Sequence, residues 1–340
     1  MLRTLTLALS LVLAACDQKA ELNHIAGSTM GTTYHVSCNC PDPAGTLKDE
    51  IDSRLVEINK IMSTYDPDSE LSRINSYPGA FPATFTISEE LATVIRQALD
   101  IHARSNDYFD ITVGPLVNLW GFGPQASIDK APDEQQLLKA MSQTGTGAIT
   151  LSGHRLTLTE ARYIDLSGIA KGWAVDDIGA LLEARNITGY LVEIGGELRT
   201  RGAKPGEAPW RVAIERPSAN PGDRLAELII EPGDAAVATS GDYRNYFESN
   251  GVRYSHTINP STGRPITHTL ASVTVIHEDC GQADAWATAL NVAGPEEGMQ
   301  IAEQNQLSAF MIIREGDSFT EKASTAFLNR FPDYRPQGQE

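Results

Sequence analysis

The stretch at residues 161–177, ARYIDLSGIAKGWAVDD, constrains this chain most, because the apolar period changes inside it. Residues 163–166 form a short apolar run, which predicts a strand end, and Ser167 and Gly168 break it. From Ile169 onward the apolar positions Ile169, Trp173, Ala174 and Ile178 fall at helical spacing, with Asp165 or Ser167 as candidate N-cap. The expectation is a strand, a tight turn and a helix start. Free backbone N–H groups at such a turn can hold an anion, and Lys171 adds a positive charge in the first helical turn. An ordinary strand-to-helix junction has the same look, so the rest of the chain must decide.

Charge and length narrow the classes. The 340 residues carry 44 acidic against 27 basic side chains, a formal net charge of -17. Lys and Arg are not clustered, which argues against a nucleic-acid footprint. Residues 1–15 read as a targeting segment: Arg3, then an almost continuous apolar run from residue 5 to 15, too short for an ordinary spanning helix. It ends Leu13-Ala14-Ala15-Cys16, which resembles the bacterial lipoprotein signal, cut before the cysteine that then carries lipid. Cys16 is therefore the expected lipidation site. Asp17 resembles an inner-membrane retention signal, which gives a lipid-anchored protein on the periplasmic side of the inner membrane. Residues 16–28 read as its tether, and residues 29–335 as a single catalytic domain or two interlocked lobes. Cys38, Cys40 and Cys280 remain. Within a strand, Cys38 and Cys40 point the same way, an awkward spacing for a bridge. Either can pair with Cys280, and the sequence does not choose.

Along the chain, residues 29–37 alternate as a strand, with Gly31 as a close-approach position. Ile51, Leu55, Ile58 and Met62 mark an amphipathic helix, and Ser88 followed by Glu89 and Glu90 starts another. Residues 77–85 read as loop. Residues 106–123, rich in aromatics and glycine, read as a loop that is buried or covers a ligand. Residues 149–158 predict a hairpin, residues 270–276 a strand and residues 281–292 a helix, while residues 323–330 look irregular. Helices and strands mix without a regular βα period and no GxGxxG follows a first strand, so the fold class is α+β, with mixed, largely antiparallel sheets and flanking helices.

Several groups can do chemistry. Asp284 and Thr288 stand four apart on one predicted helix and share a patch, a carboxylate and a hydroxyl suited to a hard cation such as Mg²⁺. His256, just before Asn259-Pro260, is a candidate base near neutral pH. Three glycine breaks, Ser167-Gly168, Gly195-Gly196 and Ser240-Gly241, can gather backbone donors around a phosphate-bearing ligand. Tyr65, Tyr108, Phe109 and Trp120 are candidates to face a flat ring, with core packing as the default for each.

An ordered set of motifs then gives a resemblance. Met30-Gly31-Thr32, Ser63-Thr64-Tyr65, Phe109-Asp110 with Val113-Gly114-Pro115, and the 165–176 segment come first. Ile194-Gly195-Gly196-Glu197, Ala238-Thr239-Ser240-Gly241, His256-Thr257-Ile258-Asn259-Pro260 and Ala283-Asp284-Ala285 with Thr288 follow in order. Together, over roughly residues 27–313, they resemble the ApbE family of flavin transferases. The departures are mild: Ser167, Trp173 and Asn259 stand where other residues are commoner. The resemblance implies an enzyme that binds FAD and Mg²⁺. It moves FMN onto a threonine or serine hydroxyl of a partner protein through a phosphoester bond and releases AMP. It implies Asp284, Thr288 and a carbonyl near Gly168 as metal ligands, His256 as base, and Tyr65 against the isoalloxazine near Met30. Asp110, Ser167, Lys171, Asp176, Glu193, Gly195, Gly196, Thr239 and Ser240 would shape the nucleotide pocket. Lys171 either touches a phosphate or balances nearby acids. The alternatives are an FAD pyrophosphatase with water as acceptor, and a non-catalytic periplasmic FAD-binding lipoprotein. The implied partners are flavin-accepting subunits of membrane electron-transport complexes or exported reductases; monomer and homodimer both remain open.

Overall fold

A computed structural model describes residues 22–40, 45–124, 131–217, 226–241, 246–249, 252–316 and 318–335. Cys16 and the targeting segment lie outside them. The first strands are β1 (Asn23–Thr29) and β2 (Thr32–Cys38), followed by helices α1 (Thr46–Met62) and α2 (Glu70–Asn75). Next come β3 (Ala83–Thr86), α3 (Glu89–Arg104), α4 (Gly114–Leu119) and α5 (Glu134–Met141). Then follow β4 (Ile149–Ser152), β5 (Arg155–Leu158), α6 (Ala170–Ala184), β6 (Tyr190–Ile194) and β7 (Glu197–Arg201). The chain continues through β8 (Val212–Glu215), β9 (Ala226–Ile230), β10 (Ala235–Gly241), β11 (Tyr246–Ser249) and β12 (Val252–Ser255). It closes with β13 (Ile258–Asn259), β14 (Arg264–Pro265), β15 (Leu270–His277), α7 (Cys280–Ala293), α8 (Pro295–Gln304), β16 (Ser308–Glu315), β17 (Ser318–Ala323) and α9 (Thr325–Arg330).

One eight-stranded sheet, ordered β1-β2-β6-β7-β10-β15-β16-β17, organises the molecule, and every pairing in it is antiparallel. Its central strands are buried on both faces, so their side chains alternate between two cores. In β10, Ala236 and Ala238 face the larger core, and Ala235 and Val237 the smaller. In β16, Ala309 and Met311 face the first, and Phe310 and Ile312 the second. Helices α6 and α7 cover the larger face, with α1 and α3 packed outside them; β8, β9 and α9 cover the other. Helix α7 is buried nearly all round, Ala283, Ala285, Trp286, Ala287 and Ala289 included. That burial suits an Ala-rich helix wedged between a sheet and other helices. The expected α+β class is the architecture found.

Several local expectations are corrected. Residues 161–166 do not join a sheet. Instead the Asn75 side chain on α2 bonds both backbone groups of Ile164, and Asp165 N donates to Ile111 O, so the extended segment is held by an amide rather than a ladder. Helix α6 begins at Ala170 without a side-chain cap; Asp165 Oδ1 accepts from the N–H and hydroxyl of Ser167 and builds the turn itself. Residues 23–28, read as tether, belong to β1, which pairs with β2 along its whole length. Met30 and Gly31 both have positive φ and make the two-residue turn between them, with no atom within 4 Å of a Cβ built at Gly31, so that glycine serves the turn and not a close approach. The loop expected at residues 77–85 ends in β3, α4 emerges within residues 106–123, and residues 325–330 are helical behind a Ser324 cap. Cys38 bonds Cys40, with Cα atoms 5.2 Å apart, and Cys280 is free and buried. Strand β2 ends at Cys38, so Cys40 is released from the extended rise of about 3.3 Å per residue that would hold the two side chains parallel and apart.

Candidate active site

The 165–168 turn, the β6–β7 hairpin, the end of β10 and one side of α7 converge on a cavity of about 980 Å³. Asp110, Tyr65, Tyr108, Phe109 and Phe122 close it from the side of α4, and His256 from the β12–β13 connection with Pro260 just after β13. Asp284 and Thr288 lie one helical turn apart and both face it, as the i, i+4 spacing requires. Asp284 is 2% exposed; its Oδ2 accepts from Gly172 N at 3.1 Å and lies 3.8 Å from Lys171 Nζ. Burial pushes its carboxyl above the ordinary range, against the pull of Lys171 and the Gly172 N–H. Ser240 Oγ stands 3.4 Å from Thr288 Oγ1, and Thr239 Oγ1 2.8 Å from Thr274 Oγ1.

The hairpin between β6 and β7 turns through Gly195 and Gly196, both at positive φ, and seats Glu197 opposite Ile194. Glu193 Oε1 accepts from Gly196 N at 2.6 Å, and its Oε2 meets His35 Nδ1 at 2.8 Å, so this carboxylate braces the turn. Glu197 is buried at the cavity wall and Lys171 Nζ stands 3.5 Å from its Oε1. Burial pushes the Glu197 carboxyl above the ordinary range, against the pull of Lys171. For Lys171, burial alone would loosen the proton, but the charges of Asp284 and Glu197 outweigh it and hold the ammonium form. Lys171 thus stands beside both acids, and it also lines the cavity.

Not every expected residue reaches the cavity. Asp176 is absent from its lining: its Oδ2 accepts from Cys280 N at 2.7 Å and Gly281 N at 3.0 Å, and its Oδ1 meets Arg199 Nη1 at 2.7 Å. It clamps the N-terminus of α7, the helix that carries Asp284 and Thr288. Burial and the nearby Asp279 push its carboxyl up to about 7, against the Gly281 N–H and Arg199. Asp176→Ala removes the carboxylate partner of the half-buried Arg199, which keeps the Glu278 carbonyl at 3.1 Å, and frees two N–H groups. A loss of about 3 kcal/mol in unfolding free energy is expected, measured by urea titration. Met30 sits at the β1–β2 turn, packed on the main core; its neighbours Thr32 and Thr33 line the cavity instead. Trp120 is buried, with Nε1 donating to Gly263 O at 2.8 Å, so it is core and not a ring platform. Tyr65 is exposed at the rim, its hydroxyl 3.3 Å from Phe122 O. Asp110 Oδ1 is held by the N–H and hydroxyl of Thr112, both at 2.6 Å. Residues 242–245, which follow Gly241 in its motif, lie outside the described residues.

The oxygen donors suit a hard cation. Among the described residues no three His, Cys, Asp or Glu side chains group as a metal centre. One carboxylate, one hydroxyl and one carbonyl, however, fit a cation that completes its shell with phosphate and water. Asp284 Oδ1 accepts no hydrogen bond among the described residues, and a Cβ at Gly168 would stand 3.3 Å from Thr288 Oγ1, so the 168 turn abuts the helix. Sequence reasoning gave Glu197 no chemical role. Its signal was position: the residue after a two-glycine hairpin turn is fixed in register, here into the core.

A sheet-and-helix scaffold with these motifs around one cleft defines a class, and comparison with known proteins identifies it. The ApbE family model matches residues 30–311, and the chain belongs to the ApbE family. It is 48% identical over 325 residues to the FAD:protein FMN transferase of Vibrio cholerae serotype O1, covering 94% of this chain and 96% of that protein. A solved structure of flavin transferase ApbE from Vibrio cholerae matches with a TM-score of 0.82 and 45% identity, over 91% of this chain and 99% of that one. The apo flavinyl transferase ApbE of Pseudomonas stutzeri matches at 0.83 and 39%, over 92% and 97%.

Proposed function

We propose that the chain is an FAD:protein FMN transferase that moves FMN onto a threonine or serine hydroxyl of another protein and releases AMP. The observation that carries this reading is the convergence of Asp284, Thr288, the Gly168 turn and His256 on one cavity. Asp284, Thr288 and the Gly168 carbonyl would hold Mg²⁺, which supplies charge neutralisation at the phosphates. The protein's own groups do the rest. The glycine turns offer backbone donors to phosphate oxygens, and the aromatic side at Tyr65, Tyr108 and Phe122 receives the flat ring. His256 takes the proton of the acceptor hydroxyl as its oxygen bonds the FMN phosphorus; the bond from that phosphorus to the bridging oxygen breaks, and AMP departs with that oxygen. A hydroxyl is a weak nucleophile at neutral pH, so a base in reach matters.

His256→Ala is expected to slow transfer to an acceptor protein by about 10²–10⁴-fold. FAD affinity should change far less. Single-turnover transfer and fluorescence titration of FAD check this, and equal transfer rates would remove His256 as the base.

Among the described residues no helix is long and apolar enough to cross a membrane. The proposed attachment is lipid on Cys16, on the periplasmic side of the inner membrane. There the enzyme would meet flavin-accepting subunits of electron-transport complexes or exported reductases.

A further inference from the structure

Lys171, Glu197 and Asp284 come from three elements, the first turn of α6, the first residue of β7 and the middle of α7, yet they form one buried cluster. Lys171 Nζ lies 3.5 Å from Glu197 Oε1 and 3.8 Å from Asp284 Oδ2. Glu197 is 5% exposed, and its Oε2 is buried with no hydrogen-bond partner. An acceptor atom left unmatched in a cavity wall is costly, and such atoms mark strain, a functional role or a missing partner. The charge count points the same way: two carboxyl groups share one ammonium, so with both ionised the cluster is short of positive charge where Asp284 faces the cavity.

We propose that Glu197 is a positioning residue for the cation, holding Lys171 as its own partner so that Asp284 stays undercompensated and attracts a divalent ion. This rests on the reading of Asp284 as a cation ligand. Without the Glu197 charge, Lys171 and Asp284 become a balanced pair, and the ammonium competes for the carboxylate the cation needs. With Glu197 present, an entering cation repels Lys171 toward a carboxylate that still has a free oxygen. Removing both charges restores the shortage, because Asp284 then stands alone.

The test is Mn²⁺ titration followed by electron paramagnetic resonance, with FAD present, on the unsubstituted protein, Glu197→Gln, Glu197→Asp and the pair Lys171→Met with Glu197→Gln. Glu197→Gln is expected to weaken Mn²⁺ binding about tenfold or more, since unit charges at such separations interact strongly when partly buried. Glu197→Asp keeps the charge and should stay within about threefold of the unsubstituted protein, and so should the double variant, by the same charge argument. Unchanged binding in Glu197→Gln overturns the inference, and so does a double variant as weak as the single, which is the mark of a purely structural role. If the unsubstituted protein binds no Mn²⁺, the cation site itself falls and this inference with it. Thermal unfolding of each variant identifies any that fails to fold, and the double variant, whose cluster keeps its net charge, still tests the inference in that case.

Discussion

Asp284→Ala is expected to abolish FMN transfer, by about a thousandfold or more, while the protein stays folded. The magnitude follows from what is removed on the proposed reading: a cavity-lining carboxylate that would hold the cation beside the phosphates, in a wall where screening by water is weak. The fold survives because Asp284 packs on Gly172 N and Lys171, and Lys171 retains Glu197 as a partner. Circular dichroism and thermal unfolding separate the two effects. Transfer at the unsubstituted rate, in an assay with Mg²⁺ controlled, would remove Asp284 from the site.

Gly172→Ala is expected to cost about 2–3 kcal/mol or more of stability and to lower activity with it. A Cβ at this position would stand 2.2 Å from Cys280 O and 2.8 Å from Asp284 Cβ. Backbone lies on one side and the Cβ of Asp284 on the other, so nothing flexible can give way. Helices α6 and α7 must separate, and Asp284 moves with α7. Urea unfolding should show the lower midpoint. Gly147, whose added Cβ would meet nothing within 4 Å, is the control position, where alanine should change little. A Gly172→Ala protein as stable and active as the unsubstituted one would show that the α6–α7 contact is not what sets the carboxylate.

The parts legible from sequence were those with a local signature. Helical spacing placed Asp284 and Thr288 on one patch, and the same periodicity marked Ile51, Leu55, Ile58 and Met62 as buried. The glycine breaks at Gly195-Gly196 and Ser240-Gly241 lay at cavity-lining strand ends. What stayed hidden depends on partners distant in sequence. Nothing in residues 161–166 reveals that the Asn75 amide takes the backbone bonds a neighbouring strand would otherwise take. Asp176 looks like a site residue because it belongs to the site's most recognisable segment, yet helical rotation points it at the N-terminus of α7. Glu197 was visible only as a letter in a glycine motif; its burial beside Lys171 exists only once α6, β7 and α7 are assembled. The Cys38–Cys40 bridge was obscured by assuming that the strand continued through both residues.

The central claim is that this cavity transfers FMN to a protein hydroxyl. It is tested most directly by mixing the purified protein with FAD, Mg²⁺ and a candidate acceptor, then measuring the acceptor's intact mass and the AMP formed. The account predicts an acceptor heavier by one FMN in phosphoester linkage, with AMP released in equal amount and both lost in Asp284→Ala. FMN and AMP appearing while every acceptor tried stays unmodified would contradict it and identify water as the acceptor; FAD recovered intact would contradict catalysis altogether.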